Sequence, residues 1–495
     1  MNLKLYIKKL GKIKNSKIEL HPFTILFGES NTNKSYTLFS MYYIYKFFFE
    51  KNEVIKRITN EFNLKKIDIK VINCEKIKEN IELKKHIKDL INVFCEGNKD
   101  KKIKKIEIDI NSFKNNINKL FFKGINEFFE YLINYNPNFE GKLHIPKSNF
   151  KILNKKVEKI NIYYVYEREY LEYMLTFENQ NLKKEIFFFH SWRNLLHKDE
   201  NYLKYEEDYK NIFYFALPTL LKHFKLIEDE NFFKNKDKYK LKRLYFFPPS
   251  RSAIVDMQKS LLGMYITDIP IYSGMVKEFL KTYLPDFNII ASSKDNFLDI
   301  EFKNIINEIF EGEISVEHEK METFYMHHNT KIPISASASS IRELTPFYIT
   351  LRYYPIENKI FFIEEPEAHL HPSLQKKIAY LLAYIVNKGG KVYITTHSDY
   401  LVNTISNLVK IWFLKKKNKE KAKAIMKKYN IKEEFLINPK KLGVYFFNKN
   451  EKEEVNIEKI KPSENGISPE SFLKVMEEDI ELSQDILEAF AEVEG

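Results

Sequence analysis

The sequence predicts an α/β fold: a mixed, largely parallel sheet with antiparallel strands at its N-terminus and one large, mainly helical insertion. Three observations carry that reading. From about residue 241 onward, short apolar strands alternate with helices (Lys359–Ile363, then Pro372–Asn387, then Lys391–Thr395, then a helix near Tyr400). Such alternation is the mark of parallel strands joined by crossover helices. Near the start, the apolar run Phe23-Thr24-Ile25-Leu26-Phe27 passes through a polar loop into a long aromatic helix. Between them, residues 51–240 turn rich in Lys, Asn and Glu, with apolar residues at helical spacing.

In chain order, Leu3–Ile7 alternates, Gly11 and Asn15 punctuate, and Lys17–Leu20 is a second short strand. The loop Gly28–Lys34 follows the third strand, and a helix is expected from Ser35 to about Glu50. The insertion shows helical spacing at Ile117, Leu120, Phe121, Ile125, Phe128, Phe129 and Leu132, with strand character at Ile160–Val165 and Ile186–Phe189. It is too irregular for a long heptad array, with Pro137, Pro146 and Pro218 as breaks, and reads as a lid or partner-docking lobe. Residues 313–335 alternate like a hairpin, and a helix begins near Ser340. The chain closes with a strand pair near Gly443–Phe447 and an acidic helix, Pro469–Glu492. The expected divisions are 1–50, 51–240, 241–415 and 416–495.

Composition narrows the class. A hydrophobic fraction of 44% suffices for a sizeable core. Two cysteines exclude a disulfide-built domain. No uninterrupted apolar stretch reaches the roughly 18 residues of a membrane span. Met1–Tyr6 carries no charged leader with an apolar core, so a cytoplasmic location and no membrane partner are expected. The net charge of +12 comes from lysine, with seven arginines against 73 lysines. Lysine spread evenly over a chain makes a solvated surface, whereas steering of nucleic acid needs a clustered patch.

Gly28-Glu29-Ser30-Asn31-Thr32-Asn33-Lys34-Ser35 sits between strand and helix at the spacing of a phosphate-binding P-loop. Such a loop turns backbone N–H groups onto phosphate oxygens, and the helix N-terminus adds positive potential. Lys34 would meet the β- and γ-phosphates, and the Ser35 hydroxyl would ligate Mg²⁺. Asn33 stands where the motif has glycine. It is the next most tolerant residue type for a left-handed backbone. An ordinary polar strand-to-helix loop would look similar in isolation. It is not isolated: Lys359–Ile363 ends in Glu364 and Glu365. A strand beside the P-loop strand would deliver Glu364 to Mg²⁺, with Glu365 placed to activate the attacking water. Val392–Thr396 ends in His397, within reach of a γ-phosphate. His369, His371, Glu364, Glu365 and His397 also invite a zinc or iron reading, against which side chains two apart in a strand diverge.

In this order the pieces resemble an ABC-type ATPase head of the RecF/SMC and OLD (overcoming-lysogenization-defect) prokaryotic group, the AAA15-type ATPases. Ser335–Leu344 resembles the signature segment, Phe362–Pro372 the Walker B and D-loop, and Thr396-His397-Ser398 the switch histidine. Tyr245–Ser252 resembles the Pro-Pro-x-Arg segment of stand-alone members, and Gln258 their Q-loop glutamine. The resemblance covers residues 1–50 and 241–415. It implies ATP with Mg²⁺, hydrolysed between two copies: Gly28, Asn31, Thr32, Asn33, Lys34 and Ser35 bind from one, Ser339 and Ser340 from the other, and Glu365 and His397 act at the bond. It further implies a homodimer or higher homo-oligomer and a separately encoded effector, with DNA or RNA as a further partner, in anti-phage defence or DNA maintenance. The signature lacks glycine around Ser339-Ser340, and no Toprim-like acidic cluster follows. A scaffold with little hydrolysis, or a nucleic-acid enzyme with its own centre in the insertion, are the alternatives.

Overall fold

The computed structural model describes residues 3–49, 69–72, 95, 103–144, 151–152, 155–156, 159–167, 170–179, 182–193, 243–249, 251–256, 274–292, 300–317, 322–328, 330–352, 355–467 and 484. Gln258 and the acidic segment 469–492, apart from residue 484, lie outside them. The chain divides into two compact units. One holds Met1–Lys4, Tyr43–Asn126 and Lys142–Phe232; the other holds Leu5–Tyr42, Glu127–Gly141 and Phe233–Gly495.

The N-terminal elements are β1 (Lys4–Leu10), β2 (Ile13–Glu19), β3 (Phe23–Gly28) and α1 (Lys34–Phe49). A two-residue turn at Gly11 joins the neighbouring strands β1 and β2, which makes them antiparallel. The insertion contributes β4 (Ile69–Ile72), β5 (Ile103–Asp109), α2 (Ile110–Ile133), β6 (Glu140–His144), β7 (Lys151–Ile152), β8 (Lys155–Lys156), β9 (Lys159–Glu167), β10 (Tyr170–Asn179) and β11 (Leu182–Arg193). Five of these strands form an antiparallel sheet in the order β11-β10-β9-β5-β4. Among the described residues of the insertion, α2 and Cys95 are helical and the other elements are strands. The strand character read at Ile160–Val165 and Ile186–Phe189 falls within β9 and β11, whose β-branched and aromatic residues suit a sheet.

The remaining elements are β12 (Arg243–Phe247), α3 (Arg251–Asp256), α4 (Gly274–Ser292), α5 (Ile300–Phe310), β13 (Glu313–Glu317), β14 (Glu322–His327), β15 (Thr330–Pro333), α6 (Ser339–Arg352), β16 (Lys359–Glu364), α7 (Pro372–Asn387), β17 (Lys391–Thr396), α8 (Asp399–Lys417), α9 (Lys419–Lys428), β18 (Leu442–Lys449) and β19 (Val455–Ile460). A nine-stranded sheet runs β12-β16-β17-β3-β18-β19-β2-β1-β6, and its first five strands are parallel. Each of these strands is apolar on both faces, as a covered parallel sheet requires. Alternation assigns the faces. Phe246 and Phe362 meet Phe39 and Tyr42 of α1, with centroids 5.6 and 5.2 Å apart. Phe247 meets Phe279 of α4 and Phe347 of α6, at 5.7 and 4.8 Å.

The strand order corrects one expectation. The acid-ended strand β16 is not beside the P-loop strand β3, because β17 lies between them. Register keeps the ends level: Glu364 faces Thr395, Thr396 faces Phe27, and Gly28 faces Phe447. All five C-terminal strand ends thus open at one edge.

The opposite edge holds a buried charge network. Asp286 accepts from Arg243 and from the Tyr245 hydroxyl, both at 2.6 Å. Lys359, fully buried, donates to the Thr350 carbonyl at 2.6 Å. Burial pulls its ammonium down to about 7, against the attraction of Asp286. Asp286→Asn removes the buried carboxylate that Arg243 and Lys359 share and is expected to destabilise the chain by about 3–5 kcal/mol in urea unfolding. Nucleotide affinity should be unchanged, since this network is at the far edge. Stability within about 0.5 kcal/mol of the parent would sink this account.

Candidate functional site

The loop begins at a position only glycine fits. Gly28 has φ +127°, and a Cβ there would lie 2.3 Å from the Phe447 carbonyl oxygen. Asn31 and Asn33 are left-handed, at φ +58° and +63°. The turn therefore does require positive φ at Asn33, and asparagine supplies it. The side chain adds a bond glycine cannot make: its Oδ1 accepts from the Lys12 N–H at 2.8 Å. Gly11 leaves the room, since a Cβ there would come within 2.7 Å of Asn33 Oδ1.

Lys34 opens α1 and is only 5% exposed. Its Nζ donates to the carbonyls of Gly28 (3.0 Å) and Glu29 (2.5 Å) and to Thr32 Oγ1 (3.2 Å). Burial pulls its pKa down to about 8, opposed by Glu365, Glu29 and Glu367. The ammonium is thus held by neutral oxygens in a place suited to an anion. The Ser35 hydroxyl bonds the Glu364 carboxylate. Glu364 ends β16 almost fully buried, and burial lifts its carboxyl to about 7. Ser35 and Glu364 offer oxygen donors alone, around a buried carboxylate that a cation would relieve. That is the donor chemistry of Mg²⁺.

Glu365, one residue on, has φ +46° and its side chain is 44% exposed. Its N–H donates to the Thr395 carbonyl at 3.1 Å. His397 Nε2 lies 4.0 Å from Glu365 Oε1. Burial, with Lys34 nearby, lowers the His397 pKa, so the imidazole is neutral at pH 7. Glu367 is a residue the sequence reading passed over. Its Oε1 accepts from the Thr396 hydroxyl (2.7 Å) and the His397 N–H (2.8 Å), which pins the end of β17. Arg251 and its buried partner Glu343 fall within the Tyr245–Ser252 and Ser335–Leu344 segments singled out in the sequence, which gave neither of them a role. Arg251 is wholly buried beneath the two acids, and burial lowers its pKa against the attraction of Glu343, Glu367, Glu365 and Glu364.

Gly28, Asn31–Ser35, Glu364, Glu365 and His397 therefore gather at one edge of the sheet. Ser339 and Ser340 stand apart at the first turn of α6, Ser339 exposed and Ser340 half-buried. The zinc or iron alternative finds no support. His371 Nδ1 caps α7 by accepting from the Ser373 N–H at 3.3 Å, and among the described residues no cluster of three or more His, Cys, Asp or Glu is placed to hold a metal.

A family model described as "AAA ATPase domain" matches residues 1–402. The chain belongs to that family. Nucleotide binding follows from the family. Among solved structures, the chain is similar to an SMC head bound to the C-winged helix domain of ScpA, at 12% identity with TM-score 0.30, covering 93% of this chain and 97% of that one. An SMC head with an extended coiled coil bound to the C-terminal domain of ScpA, derived from Pyrococcus furiosus, gives 10% identity, TM-score 0.30 and 98% coverage of both. The SMC head of Thermotoga maritima gives 10%, 0.27, and 82% and 92%. At such TM-scores the likenesses carry no argument about this chain. No curated protein matches it. Among the described residues, no helix is long and apolar enough to cross a membrane.

Glu364 makes the free protein pH-sensitive. Its carboxyl is lifted in the folded chain from an ordinary value of 4.5 to about 7. The stability linked to this group is therefore present below pH 4.5 and lost as pH rises through about 7. Glu364→Gln removes that loss. At pH 8 the nucleotide-free variant should resist urea by about 3 kcal/mol more than the parent, and the gap should close near pH 4.5. Equal unfolding curves at pH 8 would overturn this reading of the carboxyl.

Proposed function

We propose that this chain binds ATP with Mg²⁺ and hydrolyses it at composite sites formed by two copies. The observation that carries the reading is the gathering of Lys34, Ser35, Glu364, Glu365 and His397 at one sheet edge, while Ser339 is exposed at a helix start, available to a second copy. Lys34 turns from its own loop carbonyls to the β- and γ-phosphates. Ser35 and Glu364 would hold Mg²⁺, which would supply neutralisation of phosphate charge. Glu365 accepts the proton of the attacking water as the bond from γ-phosphorus to the bridging oxygen breaks, giving ADP and phosphate. Neutral His397 donates a hydrogen bond to a γ-phosphate oxygen. Two-fold symmetry gives two such sites per dimer. Separation of the heads after hydrolysis is the output, passed to a separately encoded effector or to nucleic acid in defence or DNA maintenance.

Glu365→Gln should cut turnover about 10²–10⁴-fold while leaving nucleotide binding intact. It should accumulate ATP-dependent dimers in light scattering. A parent protein whose turnover does not exceed the variant's would end the motor reading in favour of a scaffold. Unchanged mass on ATP addition would end the composite site.

One observation favours nucleic acid as a partner. Lysine is not evenly spread: residues 407–441 hold twelve lysines against three acidic residues. Lys410, Lys416, Lys417, Lys419, Lys421, Lys423, Lys427 and Lys428 are exposed on α8 and α9. A duplex bound there should dissociate steeply with salt. In fluorescence anisotropy, replacing Lys416, Lys421, Lys427 and Lys428 by Glu should weaken binding at least about ten-fold and flatten the salt slope. Parent-like affinity would remove this surface from consideration.

A further inference from the structure

The proposed base, Glu365, has a side chain 44% exposed and 4.0 Å from His397. What holds it must act through the backbone. That backbone is left-handed at φ +46°, a conformation that is strained for a β-carbon-bearing residue and persists only where neighbours impose it. Two groups impose it. From β17, the Thr395 carbonyl accepts the Glu365 N–H. From beneath, Arg251 forks onto the backbone of both acids: Nη1 donates to the Glu364 carbonyl at 2.9 Å and to that of Pro248 at 3.1 Å, and Nη2 donates to the Glu365 carbonyl at 3.2 Å.

The fork is itself oriented. Arg251 Nε lies 3.2 Å from Glu343 Oε2, and neither residue is exposed. Glu343 Oε1 accepts from the Ser252 N–H (3.1 Å) and hydroxyl (2.8 Å). Phe347, one turn on along α6, lies under the guanidinium at 5.7 Å. Glu343 is the fifth residue of α6, the helix that begins at Ser339. A buried ion pair is weak evidence of a stabilising role, since a hydrophobic pair of similar volume usually serves stability as well or better. Its charge and planar fork are used instead for placement.

We propose that Arg251 is a positioning residue. It sets the Glu365 carboxylate in place by clamping the Glu364 and Glu365 carbonyls, and Glu343 makes that clamp respond to the helix whose first residues face a second copy. The chain's own base is thus registered to its own signature helix. Displacement of α6 on engagement of a partner reaches Glu365 through one guanidinium. This inference rests on the ATPase reading and adds to it the means by which the base is armed.

The test uses the full chain in three forms: the parent, Arg251→Lys, and the double variant Arg251→Met with Glu343→Leu, which replaces the pair with apolar side chains and should keep the fold. Thermal unfolding and its shift with ATP and Mg²⁺ report folding and binding separately from turnover. Expected is a kcat about 10²-fold below the parent in both variants, with KM for ATP within about two-fold, as follows from displacing a catalytic group by about 1 Å. Glu343→Gln, which keeps an acceptor for Ser252, should lie between parent and Arg251→Lys. Variants that fold, bind ATP and keep the parent's kcat overturn the positioning role while leaving the ATPase reading intact. A rise in KM at constant kcat also overturns it, since Arg251 would then serve binding. A parent protein that neither binds nor turns over ATP sinks the ATPase reading first, and this role with it.

Discussion

Five ionisable side chains, Lys34, Arg251, Glu343, Glu364 and Glu367, are buried at the C-terminal edge of the parallel strands, and the rest of the molecule is arranged around keeping them there. Burying charge is expensive unless each group finds a partner of good geometry. Here the partners are backbone carbonyls and hydroxyls at strand ends, together with one another. That is possible because five strands stop at the same level. A parallel sheet ends in a row of carbonyls and N–H groups with no further strand residues to pair. This edge uses that row: Lys34 takes carbonyls of its own loop, Arg251 takes those of Glu364 and Glu365, and Glu367 takes the N–H of His397.

The same constraint shapes the site's electrostatics. Burial lowers the pKa values of Lys34 and His397 and raises that of Glu364, so each charged form is disfavoured in the free site. A site poised this way gains most when a polyanion and its cation arrive together, because each relieves a desolvated group. Glu365 is the exception. It is partly exposed, and its backbone N–H and carbonyl are both held by neighbours. The pairing of Arg251 with Glu343 then ties that backbone to α6 through one buried contact.

Much of this was legible beforehand. The P-loop was visible because its spacing is a local property of one strand, one loop and one helix. The helix Pro372–Asn387 was legible to the residue, with proline at its first position and glycine two residues past its end. The acids at 364 and 365 were legible because a run of buried apolar residues stops at them. Other features were hidden for physical reasons. The insertion of β17 between β3 and β16 is a matter of strand order, which no local pattern encodes. The five-stranded sheet of the insertion was obscured because lysine on solvent faces reads alike on a helix and a strand. Glu343 and Glu367 look like ordinary surface acids until their surroundings close over them.

By itself, the sequence determined the elements and the chemistry each one carries: a glycine that must turn, a lysine that comes six residues later, two acids at a strand's end, a histidine at another's. Those depend on neighbours a few residues away, so they survive in a linear reading. Only the tertiary structure decided which strand ends lie level, that asparagine at position 33 is held by the turn of β1 and β2, and that an arginine over ninety residues from its glutamate lies beneath the acids. Those outcomes rest on contacts between distant segments, and their energies come from burial, which exists only once the chain has closed around them.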